Sequence, residues 1–403
     1  MREKTCSVRW LYLILGVIAL LFAGVIYAWS ILKSPLQESF GWTSSELALN
    51  FTLTMCFFCL GGFLGGLISK RIGIRLSLIL AALLSGLGFF LASKLNGNVV
   101  MLYLSYGVLA GLGIGIAYNV IISSVNAWFP DKKGLCSGAL MMGFGASALV
   151  VGKLASALME RAGWRIAYLA LGLALAAVLL LTALVLRRPG PETSLPTQPQ
   201  KQTAGKEQFA QKEYPTGQMI RRASFWLAFF CIVSLSAVGS TVISFARDLS
   251  LSVGAQASVA TTLVGVLSIC NGLGRILTGL LFDRTGRRTT MLAATGLTIL
   301  AAGITLLAVL TGSLPLCVFG LCLTGLSYGT SPTISSAFTA SFYGTKYFPL
   351  NFSVMNFNLI VASFVATAAS KLLESTGGYT GPFVLLLVLA VASFGFNLCI
   401  KKP

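Results

Sequence analysis

The chain has 403 residues, 56% of them hydrophobic and only 10% charged, and its mean hydropathy is strongly positive. A soluble domain does not carry that balance, because it needs a solvated surface as well as a core, so the chain is expected to live in a membrane. With no histidine at all, it cannot build histidine-based metal sites, imidazole proton relays, or Ser-His or Cys-His catalysis.

Twelve apolar runs are each long enough for the roughly 20 residues that cross a hydrocarbon layer of about 30 Å. They do not alternate polar and apolar as barrel strands do, so they are read as helices. The first, 10–33, follows "MREKTCSVRW" and contains "YAWSILKSPL" with Tyr27 and Trp29. It is too long for a signal peptide and lacks a small-x-small cleavage site, so it is expected to stay as a span.

The second, 45–69, runs into "GLISKRIGIR" with Lys70, Arg71 and Arg75. Its "CFFC" pair, Cys56 and Cys59, imitates a redox motif, but such a site needs a βαβ setting. These two and the other seven cysteines are read as small apolar fillers. The third span covers 76–94, and the fourth, 99–128, holds "GLGIGIAYN" with Tyr118 and Asn119, then Ser123. No strand precedes its glycines, so like "GGFLGG" from Gly61 they read as close-packing surfaces, not as a nucleotide fingerprint. In the fifth span, 134–159, Lys153 sits near the end away from the chain termini. Snorkelling is the preferred reading for it, with an electrostatic lure for anions as the alternative. The sixth covers 164–186.

Residues 187–222 form the only long polar segment, rich in Pro, Gln and Thr, and read as a flexible cytoplasmic linker. Beyond it lie spans at 223–246, 255–282, 289–311, 314–342, 350–374 and 382–400. The two halves repeat. "GLISKRIGIR" from Gly66 matches "GLLFDRTGRR" from Gly279, 213 residues on, and "GLGIGIAYN" from Gly111 matches "GLSYGTSPT" from Gly325 at nearly the same offset. An internal repeat with substrate groups near its midplane marks a secondary transporter.

Of the 29 Lys and Arg residues, about 21 fall on one side of this arrangement and about six on the other, while Lys153 and Arg275 lie within spans. That asymmetry explains the net charge of +18 without a nucleic-acid partner. It is expected to place both termini in the cytoplasm of a plasma membrane, the inner membrane of a prokaryotic cell.

Arg275 is the sharpest signal. At helical spacing Ser268, Asn271, Arg275 and Thr278 share one stripe, while Leu273, Ile276, Leu277 and Leu280 lie elsewhere. A guanidinium at that depth costs roughly 3 kcal/mol or more. One reading is that it snorkels or pairs structurally. The other is anion binding: no Asp or Glu stands mid-span to neutralise it, and its two parallel donors suit a carboxylate. Tyr118, Asn119 and Ser123, with Tyr328 and Ser331 in the tenth span and Tyr27 and Trp29 in the first, are candidates to complete the site. For each, helix–helix hydrogen bonding is at least as good an explanation.

"GLLFDRTGRR" resembles the loop motif that follows the second and eighth helices in the major facilitator superfamily. Within it, "YAWSILKSPL", "GLGIGIAYNVIISSVNAWFPDKKG" and the context of Arg275 resemble the oxalate/formate antiporter family and the related monocarboxylate transporters. The resemblance implies an all-α membrane protein with twelve transmembrane helices in two pseudo-symmetric six-helix halves, 1–186 and 223–403. It also implies that the substrate arginine of helix eight falls on Arg275. Related monocarboxylate transporters carry an acid one turn earlier, where this chain has Asn271. Oxalate carriers carry a lysine in helix eleven, where it has Asn358. The loop motifs are expected to act as a cytoplasmic gate built from Asp283, Arg284 and Arg288 with Arg71 and Arg75. Lys70 stands where the first copy would hold its acid.

The expected function is secondary transport of a small monocarboxylate of the lactate, pyruvate or formate class by alternating access, coupled to protons, with anion exchange as the alternative. A membrane enzyme lacks its catalytic groups here. A non-transporting sensor with a transporter fold is the third reading. The expected partners are the anion, a proton or counter-anion, and the bilayer, with no cofactor and no nucleic acid, in a protein that works as a monomer.

Overall fold

The computed structural model describes residues 2–129, 133–187, 189, 213–344 and 347–401. Most of the expected linker lies outside them. Twelve helices among these residues are long and apolar enough to span a membrane. The first six are α1 (Val8–Leu32), α2 (Ser44–Ser69), α3 (Gly73–Ser93), α4 (Val99–Asn126), α5 (Gly138–Ala162) and α6 (Trp164–Val185). The last six are α7 (Ala223–Ser252), α8 (Ala257–Phe282), α9 (Arg284–Thr311), α10 (Leu314–Tyr343), α11 (Leu350–Thr376) and α12 (Thr380–Cys399). Both chain ends therefore lie at one face of the bundle, here the terminal face, and the opposite end is the far face.

Span boundaries follow local chemistry. α2 starts at a capping box, in which Thr43 Oγ1 accepts from the Glu46 amide at 3.2 Å and Glu46 Oε2 from the Thr43 amide at 2.8 Å. Between α8 and α9 the helix runs on almost without a break, interrupted only at Gly286, whose φ of 75° is the left-handed region that favours glycine. Its repeat counterpart Gly73 has φ 82° and opens α3. A Cβ would meet nothing within 4 Å at either position, so backbone conformation, not space, calls for glycine in both loop motifs. The expected start of α9 at 289 is accordingly late by five residues, since the helix begins at Arg284.

The lipid is the solvent for the outer surface. Leu76, Leu83, Leu87 and Phe90 on α3, and Val384, Val388 and Val391 on α12, recur at helical spacing and are exposed. α7 is buried almost throughout, at the centre. Close approach between helices uses the repeated glycines. A Cβ on Gly111 or Gly115 would collide with the backbone of Thr54 or Phe58 in α2, and one on Gly325 or Gly329 with Leu267 or Asn271 in α8. The repeat seen in the sequence is thus the same helix contact made twice, α4 on α2 and α10 on α8.

Five spans are irregular inside the membrane, where the apolar runs suggested unbroken helices. α1 tightens to a 3-10 turn at Gly24–Ala28, α4 contains a π stretch at Tyr103–Ala110, α5 breaks between Gly145 and Ser147, α10 contains Pro332, and α11 breaks between Met355 and Asn358. Pro332 has no amide hydrogen for the Tyr328 carbonyl. Such interruptions persist in a membrane only where protein surrounds them.

Candidate functional site

Three of the five irregularities sit beside residues singled out in the sequence. The 3-10 turn of α1 carries Tyr27, Pro332 stands one turn after Tyr328, and the break in α11 precedes Asn358. They bring polar side chains to the centre of the bundle.

Arg275 lies there, 3% exposed. Its stripe behaves as the spacing predicts: Ser268, Asn271 and Thr278 are buried, while Leu273, Leu277 and Leu280 are exposed. The guanidinium reaches out of its own half. Nη1 donates to the Met141 carbonyl oxygen of α5 at 2.7 Å, Nη2 to the Tyr27 hydroxyl of α1 at 3.3 Å, and Nε to Asn271 Oδ1 at 3.3 Å. Among the described residues no carboxylate accepts from it. The Tyr27 ring also presents its face to the cation at 5.9 Å. Its own burial and these central partners exclude snorkelling to the interface.

Around the guanidinium is an aromatic wall. Tyr27 meets Phe144 edge-on at 5.2 Å and Tyr328 at 5.9 Å, with the two hydroxyls 3.4 Å apart. Phe144 continues to Tyr118 at 4.9 Å, and Tyr118 to Phe58 at 5.2 Å. Asn271 is fully buried, and its Nδ2 has no acceptor. A buried amide donor without a partner is destabilising by about 1–3 kcal/mol. The site therefore offers more donors than the protein itself accepts.

Ser331 and Asn358 belong to a neighbouring cluster within the last six spans. Ser236 Oγ lies 2.5 Å from Ser331 Oγ and donates to Asn358 Oδ1 at 2.7 Å, while Asn358 Nδ2 donates to the Met355 carbonyl at 2.7 Å. The Asn358 amide is thus occupied on both sides.

Other candidates fall elsewhere. Asn119 packs against Gly62 and Gly66 of α2. Trp29 is buried against Tyr106 at 4.9 Å and donates to the Leu47 carbonyl at 3.2 Å. Ser123 is exposed and bonds its own helix, to Val120. Lys153 is exposed beside Val150 and Leu154. The glycine contacts pair Gly115 with Gly329, so Tyr118 corresponds to Pro332 in the repeat, and Tyr328 to Ile114. The two tyrosines therefore occupy different positions in the repeat. Arg275 itself corresponds to Gly62, leaving a guanidinium in one half only.

At the terminal face Arg71, Arg75, Arg284 and Arg288 are exposed and form no ion pair among the described residues. The side chains of Asp283 and Lys70 lie outside the described residues. The polar contacts between the halves gather at the far face instead. Lys33 Nζ, directly after α1 and 5% exposed, pairs with Asp248 Oδ2 of α7 at 2.8 Å, and Arg247 Nη1 donates to Ser34 Oγ at 2.6 Å. Between α2 and α11, the Ser45 amide donates to Glu374 Oε1 at 2.7 Å, and Thr52 Oγ1 to the Ser363 carbonyl at 2.7 Å. Burial first, and then the Asp248 carboxylate, pushes the neighbouring Tyr379 phenol above its ordinary pKa.

This lock was not foreseen from the sequence. The span containing Asp248 was expected to end at 246, but α7 continues to Ser252 and carries Arg247 and Asp248 with it. The signal was Lys33, placed directly after an apolar run with no lipid-facing reason to be there.

Comparison with known proteins agrees with this architecture. The sequence matches the profile of the Major Facilitator Superfamily over residues 13–367. It is 26% identical over 389 residues to the oxalate:formate antiporter of Oxalobacter formigenes, covering 96% of this chain and 89% of that protein. Identity to monocarboxylate transporter 12 of Mus musculus is 25% over 400 residues, with 93% and 82% covered. The fold superposes on the crystal structure of a D-xylose-proton symporter with a TM-score of 0.74 at 15% identity, over 97% of each chain. Twelve spans in two repeated halves, with their polar groups gathered at the centre, place this multi-pass membrane protein in the Major Facilitator Superfamily, as a transporter and not an enzyme.

Proposed function

We propose that the protein is a secondary transporter of small monocarboxylates, of the lactate, pyruvate or formate class, working by alternating access. One observation carries this reading: a buried guanidinium at the junction of the halves is held by a carbonyl, a hydroxyl and an amide oxygen, with no carboxylate among the described residues. A substrate carboxylate would supply the missing charge. In displacing Met141 and Tyr27 it would take two donors from Arg275 and a third from Asn271 Nδ2. The antiporter and monocarboxylate transporter named among its relatives support an organic anion. We place both termini, and hence the terminal face, in the cytoplasm of a plasma membrane, on the distribution of Lys and Arg.

Substrate charge follows from the single cation. With Asn358 neutral and its amide engaged, a dicarboxylate would bring a second, unpaired charge into a low-dielectric site, a cost of several kcal/mol. In proteoliposomes containing only this protein, uptake of labelled lactate is expected to saturate, to be competed by pyruvate and to ignore oxalate. Asn358→Lys is expected to weaken that preference. Saturable oxalate transport tighter than that of lactate would return the choice to an oxalate/formate exchanger, and no carboxylate uptake at all would favour the sensor.

Coupling is read as proton symport. Asn271 cannot carry the proton, which leaves the substrate carboxylate or an acid between the halves, of which Glu374 and Asp248 are two. An inward proton gradient is expected to accelerate lactate uptake several-fold. Uptake that ignores the gradient and rises with internal anion would establish exchange.

A further inference from the structure

We propose that the terminal face of the last six spans carries a second binding site, for the phosphate headgroup of an anionic glycerophospholipid, where α7, α9 and α12 meet. Two adjoining cavities open there, of about 640 and about 220 Å³. Arg221, Arg222 and Lys401 line the larger, and Arg287, Arg288 and the same Lys401 line the smaller. Among the described residues, no Asp or Glu lines either one. Five cations around a shared hollow repel one another, and the ends of α7, α9 and α12 hold them together with no acid among the described lining residues to offset the charge.

The donors there are also unpaired. Asn397 lines the smaller cavity and is only 4% exposed, yet its Nδ2 has no acceptor. Nη1 of Arg287 is buried and likewise lacks one, although Nη2 of the same side chain donates to the Ile400 carbonyl at 3.4 Å. The guanidinium is fixed over Phe342 at 5.4 Å, and that of Arg222 over Tyr214 at 4.4 Å. Held guanidiniums and an orphaned amide suit an acceptor with several oxygens, and a phosphodiester is one.

The apolar surroundings select a lipid as the source of that phosphate. Trp226, Phe230 and Phe396 are exposed on the outer surface of α7 and α12, with ring centroids 6.0 Å apart from Trp226 to Phe230 and 6.2 Å from Phe230 to Phe396. Trp226 Nε1 is tied to the Ile220 carbonyl at 2.8 Å, one residue from Arg221. This aromatic ladder starts at the basic hollow and runs along the lipid-facing side, where acyl chains would lie. Tryptophan anchored at the edge of a span, next to clustered Lys and Arg, marks the headgroup level of a bilayer. A free phosphate would use the cations and leave the ladder without a role.

Native mass spectrometry of the full chain in detergent tests the site, titrating phosphatidylglycerol and phosphatidylcholine with identical acyl chains. Phosphatidylglycerol is expected to bind about tenfold more tightly, and an Arg221→Gln/Arg287→Gln variant to lose most of that difference. Arg187→Gln, an exposed cation on the same face outside the hollow, is expected to change nothing. Lys401→Gln, at an exposed residue common to both cavities, repeats the test without disturbing packing and is expected to weaken phosphatidylglycerol several-fold. Equal binding of the two lipids, or full retention of phosphatidylglycerol by the Lys401 variant, would overturn the site. Displacement of the lipid by excess inorganic orthophosphate would overturn its assignment to a lipid.

Discussion

Lactate and pyruvate transport is expected to vanish when Arg275 is replaced by alanine. The guanidinium is 3% exposed and supplies the only cation at the centre of the described bundle, so a substrate carboxylate entering without it would be a buried, unpaired charge. Losing one partner of a buried hydrogen-bonded ion pair costs about 2–5 kcal/mol, which lowers affinity by a factor of about 30 to several thousand. Arg275→Lys keeps the charge but has no planar fork, and a single ammonium cannot hold a carboxylate bidentately while reaching α5. It is expected to recover a few per cent of transport at most. Gel filtration and thermal unfolding separate this from misfolding. Wild-type rates in a folded Arg275→Ala protein would sink the anion site.

The second large effect is expected at the far face. Asp248→Asn leaves Lys33, 5% exposed, with no counter-ion. Breaking a buried pair from one side costs about 3–5 kcal/mol, and the low end applies here because Asp248 keeps 30% exposure. That cost falls only on the arrangement in which α1 and α7 touch at this face, so it shifts the population toward one in which they separate, by about a hundredfold. A cysteine at Ser244, buried one turn inside Asp248, reports the shift: maleimide labelling from the far side is expected to speed up in the Asp248→Asn protein. Adding Lys33→Gln removes the stranded charge and is expected to return labelling most of the way, a double-mutant cycle that isolates the pair. Labelling unchanged by Asp248→Asn would show that the pair does not hold this face shut.

Much of the fold was legible along the chain because its determinants are local. A lipid solvent demands about 20 apolar residues per crossing, and helical periodicity then sorts each span by face, so the twelve spans and the Ser268–Asn271–Arg275–Thr278 stripe follow from spacing. The duplicated glycines were legible for the same reason: Gly73 and Gly286 answer to their own φ, and Gly115 and Gly329 to one helix contact made twice.

Only the tertiary structure decided where the polar groups meet. Arg275 bonds Met141 across 134 positions and Tyr27 across 248, and no periodicity encodes such pairings. Asn119 and Trp29, which share spans with site residues, turn into helix packing, because one side of each span faces the centre and the other a neighbour. The lock between Lys33 and Asp248 depends on α7 running a turn and a half past its expected end, and on the two helices converging at one face. Composition and period determine which face of a helix is buried, because the solvent reads each helix separately. Which buried group receives a partner from this chain, and which, like Asn271 Nδ2, is left for a ligand, is determined only when all twelve helices occupy the same volume.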